Sequence, residues 1–464
     1  MAAARFLIKR GYDVLVTDLR KETELRESIE ELAGSPVTFC LGEHREDDFR
    51  DAHLVVKNPA VKPGNPYVTA ARETGAVVTS EMNLFFEHCP ATIIGITGSN
   101  GKTTTAYMTA RMLEECGVVE QTESKRQDAA RKRIWLGGNL GRPLLDDVEK
   151  IAPDDIVVLE MSSFQLMDLD AAGRSPAIAA ITNITPNHLD WHKDMAEYVR
   201  AKSAIFRHSA GTAVLNAECP ITARLASHVT GSLLRFGLGE TRDREIFIRG
   251  NCAVLRTRGL ETTLFLVDDV RLPGKHNLAN ALCAAALAHT AGATPEAISS
   301  ALREFRGVEH RLEFVRDVRG IRYYNDSIAT TPESTIAAIK SFDCPAFLLL
   351  GGSGKGLSYD ELSETIAASP HIRTVYVTGG EATRIADAIH SACRRHPDPK
   401  RALVVEPVAR FADAVERSVR SAPPGAVFLM SPACASFYEY EPGKRFRNFE
   451  HRGEYFKELV ASLK

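Results

Sequence analysis

Between the apolar stretch Ile93 to Thr97 and a helical pattern from Lys102 to Cys116, the chain reads Thr97-Gly98-Ser99-Asn100-Gly101-Lys102-Thr103-Thr104. Few folds can use such a segment. A strand must deliver the chain into a glycine turn and a helix must begin at once, so that free backbone N–H groups and the positive helix end point outward together. That geometry attracts a phosphate. Gly98, Ser99, Asn100 and Gly101 are the cradle, Lys102 adds a point charge, and Thr103, followed by Thr104, offers a hydroxyl for magnesium. The spacing departs from G-x-x-x-x-G-K-[ST], because Ile96 stands where the first glycine is expected.

Strand and helix patterns alternate on both sides of this loop, which predicts an α/β chain with parallel sheets. Ala2 to Arg10 reads as a helix ended by Gly11, and Asp13 to Thr17 as a strand finishing at Asp18. Such a unit normally opens with a strand and a glycine turn, so the first domain is expected to lack both and to leave open strand edges. Strands are predicted at Leu54 to Val56 and Ala76 to Val78, then at Ile156 to Glu160 and Ala177 to Asn183, with an alanine-rich helix from Gly274 to His289. The polar run Glu120 to Arg133 reads as an exposed insertion. Further strands at Ala346 to Leu350, Thr374 to Thr378, Ala402 to Val405 and Val427 to Met430 predict a doubly wound last third. The expected domains are 1–88 (Rossmann-like, truncated), 89–306 (a phosphate-loop ATPase-type parallel sheet) and 307–464 (doubly wound, Rossmann-like).

Composition narrows the partners. Lysine and arginine total 57 against 60 acids, so no field favours nucleic acid or an anionic membrane, and any anion site must be local. Nine scattered cysteines without a C-x-x-C pair argue against a disulfide framework or a zinc site. No apolar run approaches a bilayer span. A cytoplasmic, soluble protein is expected.

Two further segments carry chemistry. Glu160 closes its strand before Met161-Ser162-Ser163-Phe164-Gln165, where a carboxylate suits magnesium beside a triphosphate. His188 follows another strand in Asn183-Ile184-Thr185-Pro186-Asn187-His188-Leu189-Asp190.

With the phosphate loop, these runs, Tyr198 to Lys202, Gly274 to Asn280 and His310-Arg311 occur in the order found in the Mur ligase family, which the chain resembles over nearly its whole length. The Ser-Ser-Phe-Gln run, the Gly-Gly-Asn core of Leu136 to Gly141, and Ser431-Pro432-Ala433-Cys434-Ala435-Ser436 resemble its D-glutamate-adding branch. The resemblance implies ATP-driven ligation of D-glutamate to UDP-N-acetylmuramoyl-L-alanine through an acyl phosphate, in peptidoglycan precursor synthesis, by a monomer using two magnesium ions. It implies that Lys102, Glu160, His188, Lys202 and Arg311 are catalytic, that Thr103, Glu160, His188 and Lys202 form the metal centre, and that Lys202 is carbamylated. Asn277, Arg311 and Asp326 would join the phosphate loop around ATP. Asp18, Asn139, Gln165 and His188 would meet the nucleotide-sugar, and Thr330, Lys355, Ser436, Phe437 and Phe449 the D-glutamate. Ile328 departs from the family, where many relatives carry lysine; extra basic residues Lys444, Arg445 and Arg447 offer a replacement charge. The rival readings are a Mur ligase for another amino acid, a folylpolyglutamate synthetase, and a nucleotide-binding scaffold without turnover.

Overall fold

The computed structural model describes residues 1–464 except 124–131, 140–142, 189–190, 210, 273, 355–356 and 396–402, and the side chains of 23, 24, 27 and 118–123. The chain divides into two compact units, Met1–Phe305 and Arg306–Lys464. The expected boundary at 88 falls inside the first unit for a physical reason. Ala2, Phe6, Met82 and Phe85 of the N-terminal segment share one apolar core with Leu145, Val148, Leu166 and Leu169. Polar ties reinforce it: Arg5 pairs with Asp146 at 2.6 Å, and Lys57 with Asp168 at 2.7 Å, both side chains largely covered.

In the N-terminal segment, Val14–Asp18 pairs in parallel with Val37–Leu41, and Leu54–Lys57 with Val77–Ser80. They form two separate two-stranded sheets, not one. Both edges of each pair lack a ladder partner among the described residues. These strands are accordingly only half covered, with Leu15 and Val77 exposed, unlike the doubly covered strands of the centre.

The central sheet has nine strands, and Thr92–Thr97 lies between Ile178–Ile181 and Ile156–Glu160. All three run parallel. Val157, Val158, Ile94 and Ile96 are fully buried, because helices cover both faces of such a sheet. Each such side chain contributes about 1.5–3 kcal/mol relative to exposure. The sheet is not parallel throughout, as the sequence suggested. Beyond Ile246–Arg249 it continues antiparallel through Cys252–Thr257 and Leu260–Leu266, because the short turns at Gly250 and Gly259 leave no room for a crossover helix. The helix after the phosphate loop runs Lys102–Glu123, into the stretch read as an insertion; residues 124–131 of that stretch lie outside the described residues.

The second unit is built on six strands, with Val427–Met430 between Ile321–Asn325 and Ala346–Gly351. Five are parallel, and Glu313–Val318 folds back antiparallel against Ile321–Asn325. Leu348, Leu350, Val375 and Leu429 fill one face and Tyr323, Phe428 and Phe456 the other.

Candidate active site

Three neighbouring strands of the central sheet end together, so the residues just past them are brought side by side whatever their separation in sequence. The phosphate loop follows Thr97, Thr182 and Asn183 follow Ile181, and Glu160 closes the third strand. Cross-links then fix the loop. Thr182 Oγ1 donates to the Asn100 carbonyl at 2.6 Å, and the Asn100 N–H donates to Asn183 Oδ1 at 3.0 Å. Ser99 Oγ donates to the Thr185 carbonyl at 2.9 Å and lies 3.1 Å from the Tyr198 hydroxyl. Gly101 has φ +82°, and a Cβ there would stand 2.3 Å from Asn280 Oδ1, which explains the glycine directly. Asn280 also donates to Asn277 Oδ1 at 3.4 Å, so Asn277 stands on the helix Lys275–Thr290 that abuts the loop.

Lys102 Nζ curls back to the carbonyls of Gly98 and Ser99, each at 3.1 Å. Thr103 Oγ1 donates to Glu160 Oε2 at 2.7 Å, and the half-buried Thr104 follows on the same helix. Asn139 donates to Glu160 Oε1 at 3.1 Å, and its own N–H to the Glu160 carbonyl at 2.7 Å. The preceding Gly138 is required, since a Cβ would meet the Glu160 carbonyl oxygen at 2.2 Å. Thus Thr103, Asn139 and Glu160 form one oxygen-rich group, and a hydroxyl with a carboxylate is a donor pair that suits a hard cation such as magnesium.

Lys202 is 2% exposed. Its amine donates to the Gly98 carbonyl at 2.9 Å and Thr97 Oγ1 at 3.3 Å, with the Tyr198 ring 4.8 Å away. Burial and then the nearby Lys102 charge drive its proton affinity well below the usual lysine range, and Glu160 only partly opposes this. Tyr198 was visible in sequence only as the start of a run; its i, i+4 spacing from Lys202 on Met195–Arg207 was the signal for a shared face.

His188 adopts φ +55°, and its ring packs against Phe164 at 5.4 Å and Tyr198 at 6.4 Å. Leu189 and Asp190 lie outside the described residues. Gln165 uses its amide oxygen to cap its own helix, accepting from Ser162 N at 2.9 Å and Ser162 Oγ at 3.0 Å. Asp18 ends its strand in a 2.8 Å pair with Arg20, which holds its carboxyl below the usual range. Among the described residues, the three-ligand group close enough to hold a cation is elsewhere: Glu309, His310 and Glu454. Lys457 already occupies it, 2.6 Å from Glu309 and 2.7 Å from Glu454.

In the second unit Asp326 is buried, accepting from Ser431 Oγ at 2.7 Å and Leu312 N–H at 3.1 Å. Burial raises its carboxyl to about 7, against the pull of that hydroxyl and of the Arg311 charge. Arg311 itself is exposed, just after His310 at φ +61°. Thr330 ends a loop tied to the next by Ala433 N–H donating to the Ala329 carbonyl at 2.9 Å. Ser436 is buried and Phe437 exposed. Phe449 opens the last helix, its carbonyl accepting from Ser327 Oγ at 2.7 Å. Lys355 lies outside the described residues.

The family descriptions "Mur ligase MurD-like, N-terminal domain", "Mur ligase middle domain" and "Mur ligase, glutamate ligase domain" match residues 1–80, 96–288 and 310–434. A Roseiflexus sp. protein named UDP-N-acetylmuramoylalanine--D-glutamate ligase is 42% identical, over 99% of this chain and 95% of its own. One of the same name from Symbiobacterium thermophilum is 37% identical, over 100% and 96%. Among solved structures, the UDP-N-acetylmuramate-alanine ligase of Thermotoga maritima superimposes with a TM-score of 0.55 at 22% identity, over 99% of this chain and 96% of that one, and so speaks to fold alone. The chain belongs to the Mur ligase family.

Proposed function

We propose that this protein joins D-glutamate to UDP-N-acetylmuramoyl-L-alanine, with ATP converted to ADP and phosphate, in the synthesis of peptidoglycan precursors in the cytoplasm. The observation that carries this reading is the phosphate loop bonded through Thr103 to Glu160, in a chain similar over its full length to two proteins of that name. Enzymes of the family are ATP-dependent and typically use magnesium.

The alanyl carboxylate attacks the γ-phosphorus of ATP, the bond to the β-phosphate oxygen breaks, and an acyl phosphate and ADP result. The D-glutamate amine then attacks the acyl carbon, a proton leaves the nitrogen, and phosphate departs. Positioning and charge neutralisation do most of the work in such transfers. The loop N–H groups and Lys102 would hold the phosphates, Thr103 and Glu160 would hold magnesium with His188 assisting, and Arg311 is the arginine assigned to charge on the transferred group. A bound magnesium ion supplies neutralisation of phosphate charge. Asn277 and Asp326 position ATP, while Asp18, Asn139 and Gln165 serve the nucleotide-sugar. Thr330, Lys355, Ser436, Phe437 and Phe449 receive D-glutamate.

Lys202 acts as a carbamate. Its buried, weakly basic amine is the form that attacks carbon dioxide: the N–C bond forms, the nitrogen loses a proton, and an anion replaces a neutral amine beside Lys102. The test of the function is phosphate release with ATP, magnesium and UDP-N-acetylmuramoyl-L-alanine against a panel of amino acids. Release should require D-glutamate; equal turnover with L-lysine, diaminopimelate or L-alanine overturns the assignment.

A further inference from the structure

Arg452 has no exposed surface and is, among the described residues, the largest side chain buried to that degree. A lone guanidinium in a protein interior costs several kcal/mol in lost hydration, and an apolar residue of similar volume often serves stability as well or better. Its presence there therefore calls for a use of its planar fork. Three of its N–H groups are spent on two loops: Nε donates to Ser327 Oγ at 3.0 Å, Nη2 to the Ser327 carbonyl at 2.8 Å and Nη1 to the Cys434 carbonyl at 3.2 Å. Ser327 Oγ in turn donates to the Phe449 carbonyl at 2.7 Å, at the start of the helix that carries Arg452. One side chain thus joins the loop leading to Thr330, the loop leading to Ser436, and the helix end bearing Phe449.

We propose that Arg452 is a positioning residue for amino-acid recognition: its guanidinium fixes the three segments that bear Thr330, Ser436 and Phe449 in one mutual geometry, without touching the amino acid. This rests on the amino-acid site proposed above. Lysine cannot replace it, because an ammonium is a point donor that does not match carbonyls on two loops at once. The remaining charge lies within the field of Asp326, whose carboxyl feels Arg452 as it feels Arg311, and Arg452→Lys keeps that charge.

The test compares Arg452→Lys, Arg452→Met and Ser327→Ala with Ser436→Ala, measuring kcat and the KM of each of the three substrates. Arg452→Lys should raise the KM for D-glutamate about tenfold, with kcat within about threefold and the KM values for ATP and the nucleotide-sugar unchanged. Arg452→Met should do more. If it does not fold, Ser327→Ala, which removes only the hydroxyl between Arg452 and Phe449, should still raise the D-glutamate KM by about threefold. An Arg452→Lys enzyme with an unchanged D-glutamate KM, or with all three KM values raised together, overturns the positioning role. Should Ser436→Ala leave D-glutamate binding untouched, the site itself is misplaced. A Ser436→Ala effect without an Arg452→Lys effect refutes only the role of Arg452.

Discussion

In the central unit Lys102 and Lys202 lie near one carboxylate, Glu160, whereas in the C-terminal unit the buried Asp326 lies within the fields of Arg311 and Arg452. Each cluster sets two basic residues against one carboxylate, so the count of charges does not separate them. What differs is the group that burial acts on: in the first it lowers the proton affinity of a base, Lys202, and in the second it raises that of an acid, Asp326. An amine without its proton beside a phosphate loop is a nucleophile, whereas Asp326 accepts from Ser431 and Leu312 and holds loops in place. The difference teaches that burial of charge alone does not mark a binding site; which partner gives up its charge matters as well.

Removing the anion we assign to the central cluster should give the largest effect. Lys202→Ala is expected to lower phosphate release by ~10³-fold or more, and a small added carboxylate such as acetate should recover part of it by occupying the vacated space. A fully active variant would show that the central cluster does not depend on an anion at this position.

The C-terminal cluster should show itself in pH dependence. The folded state raises Asp326 to about 7 from the usual 3.8, so its contribution to stability is complete below about pH 4 and is lost as pH rises through about 7, a change of a few kcal/mol at most. Asp326→Asn mimics the protonated form and can keep the bonds to Leu312 and Ser431. In denaturant titrations at pH 5 and pH 8, it should lose less stability on going to the higher pH than the parent does. Parallel pH profiles would mean that Arg311 and Arg452 already keep Asp326 ionised across the range.

The smallest effect is expected from Tyr198→Phe, which keeps the ring against Lys202 but removes the hydroxyl 3.1 Å from Ser99. We expect a roughly threefold to tenfold rise in the KM for ATP, with little change for D-glutamate. A drop as deep as that of Lys202→Ala would make the phenol a direct participant.

The phosphate loop and Glu160 were legible because the constraint is local: glycine, lysine and threonine at fixed offsets between a strand and a helix. Other parts were not. The antiparallel end of the central sheet reads like any apolar alternation, because periodicity does not report direction. The two separate strand pairs of the N-terminal segment show the same limit, since a strand's pattern says that it pairs but not with what. Gln165 carried a motif position in sequence, and only the structure shows that its amide oxygen also caps a helix.

By itself, then, the sequence determined the α/β class, the phosphate loop, the family and the residue types available for ligation, because these follow from short-range pattern and from motif order along the chain. Tertiary structure alone decided that Thr103, Asn139 and Glu160 meet, that Lys202 loses its solvent, and that Arg452, which reads in sequence as an ordinary helix arginine, is wholly enclosed. These depend on which strands lie side by side and on what covers a side chain, and both are set by packing between segments far apart in sequence, 57 residues for Thr103 and Glu160 and 125 for Arg452 and Ser327.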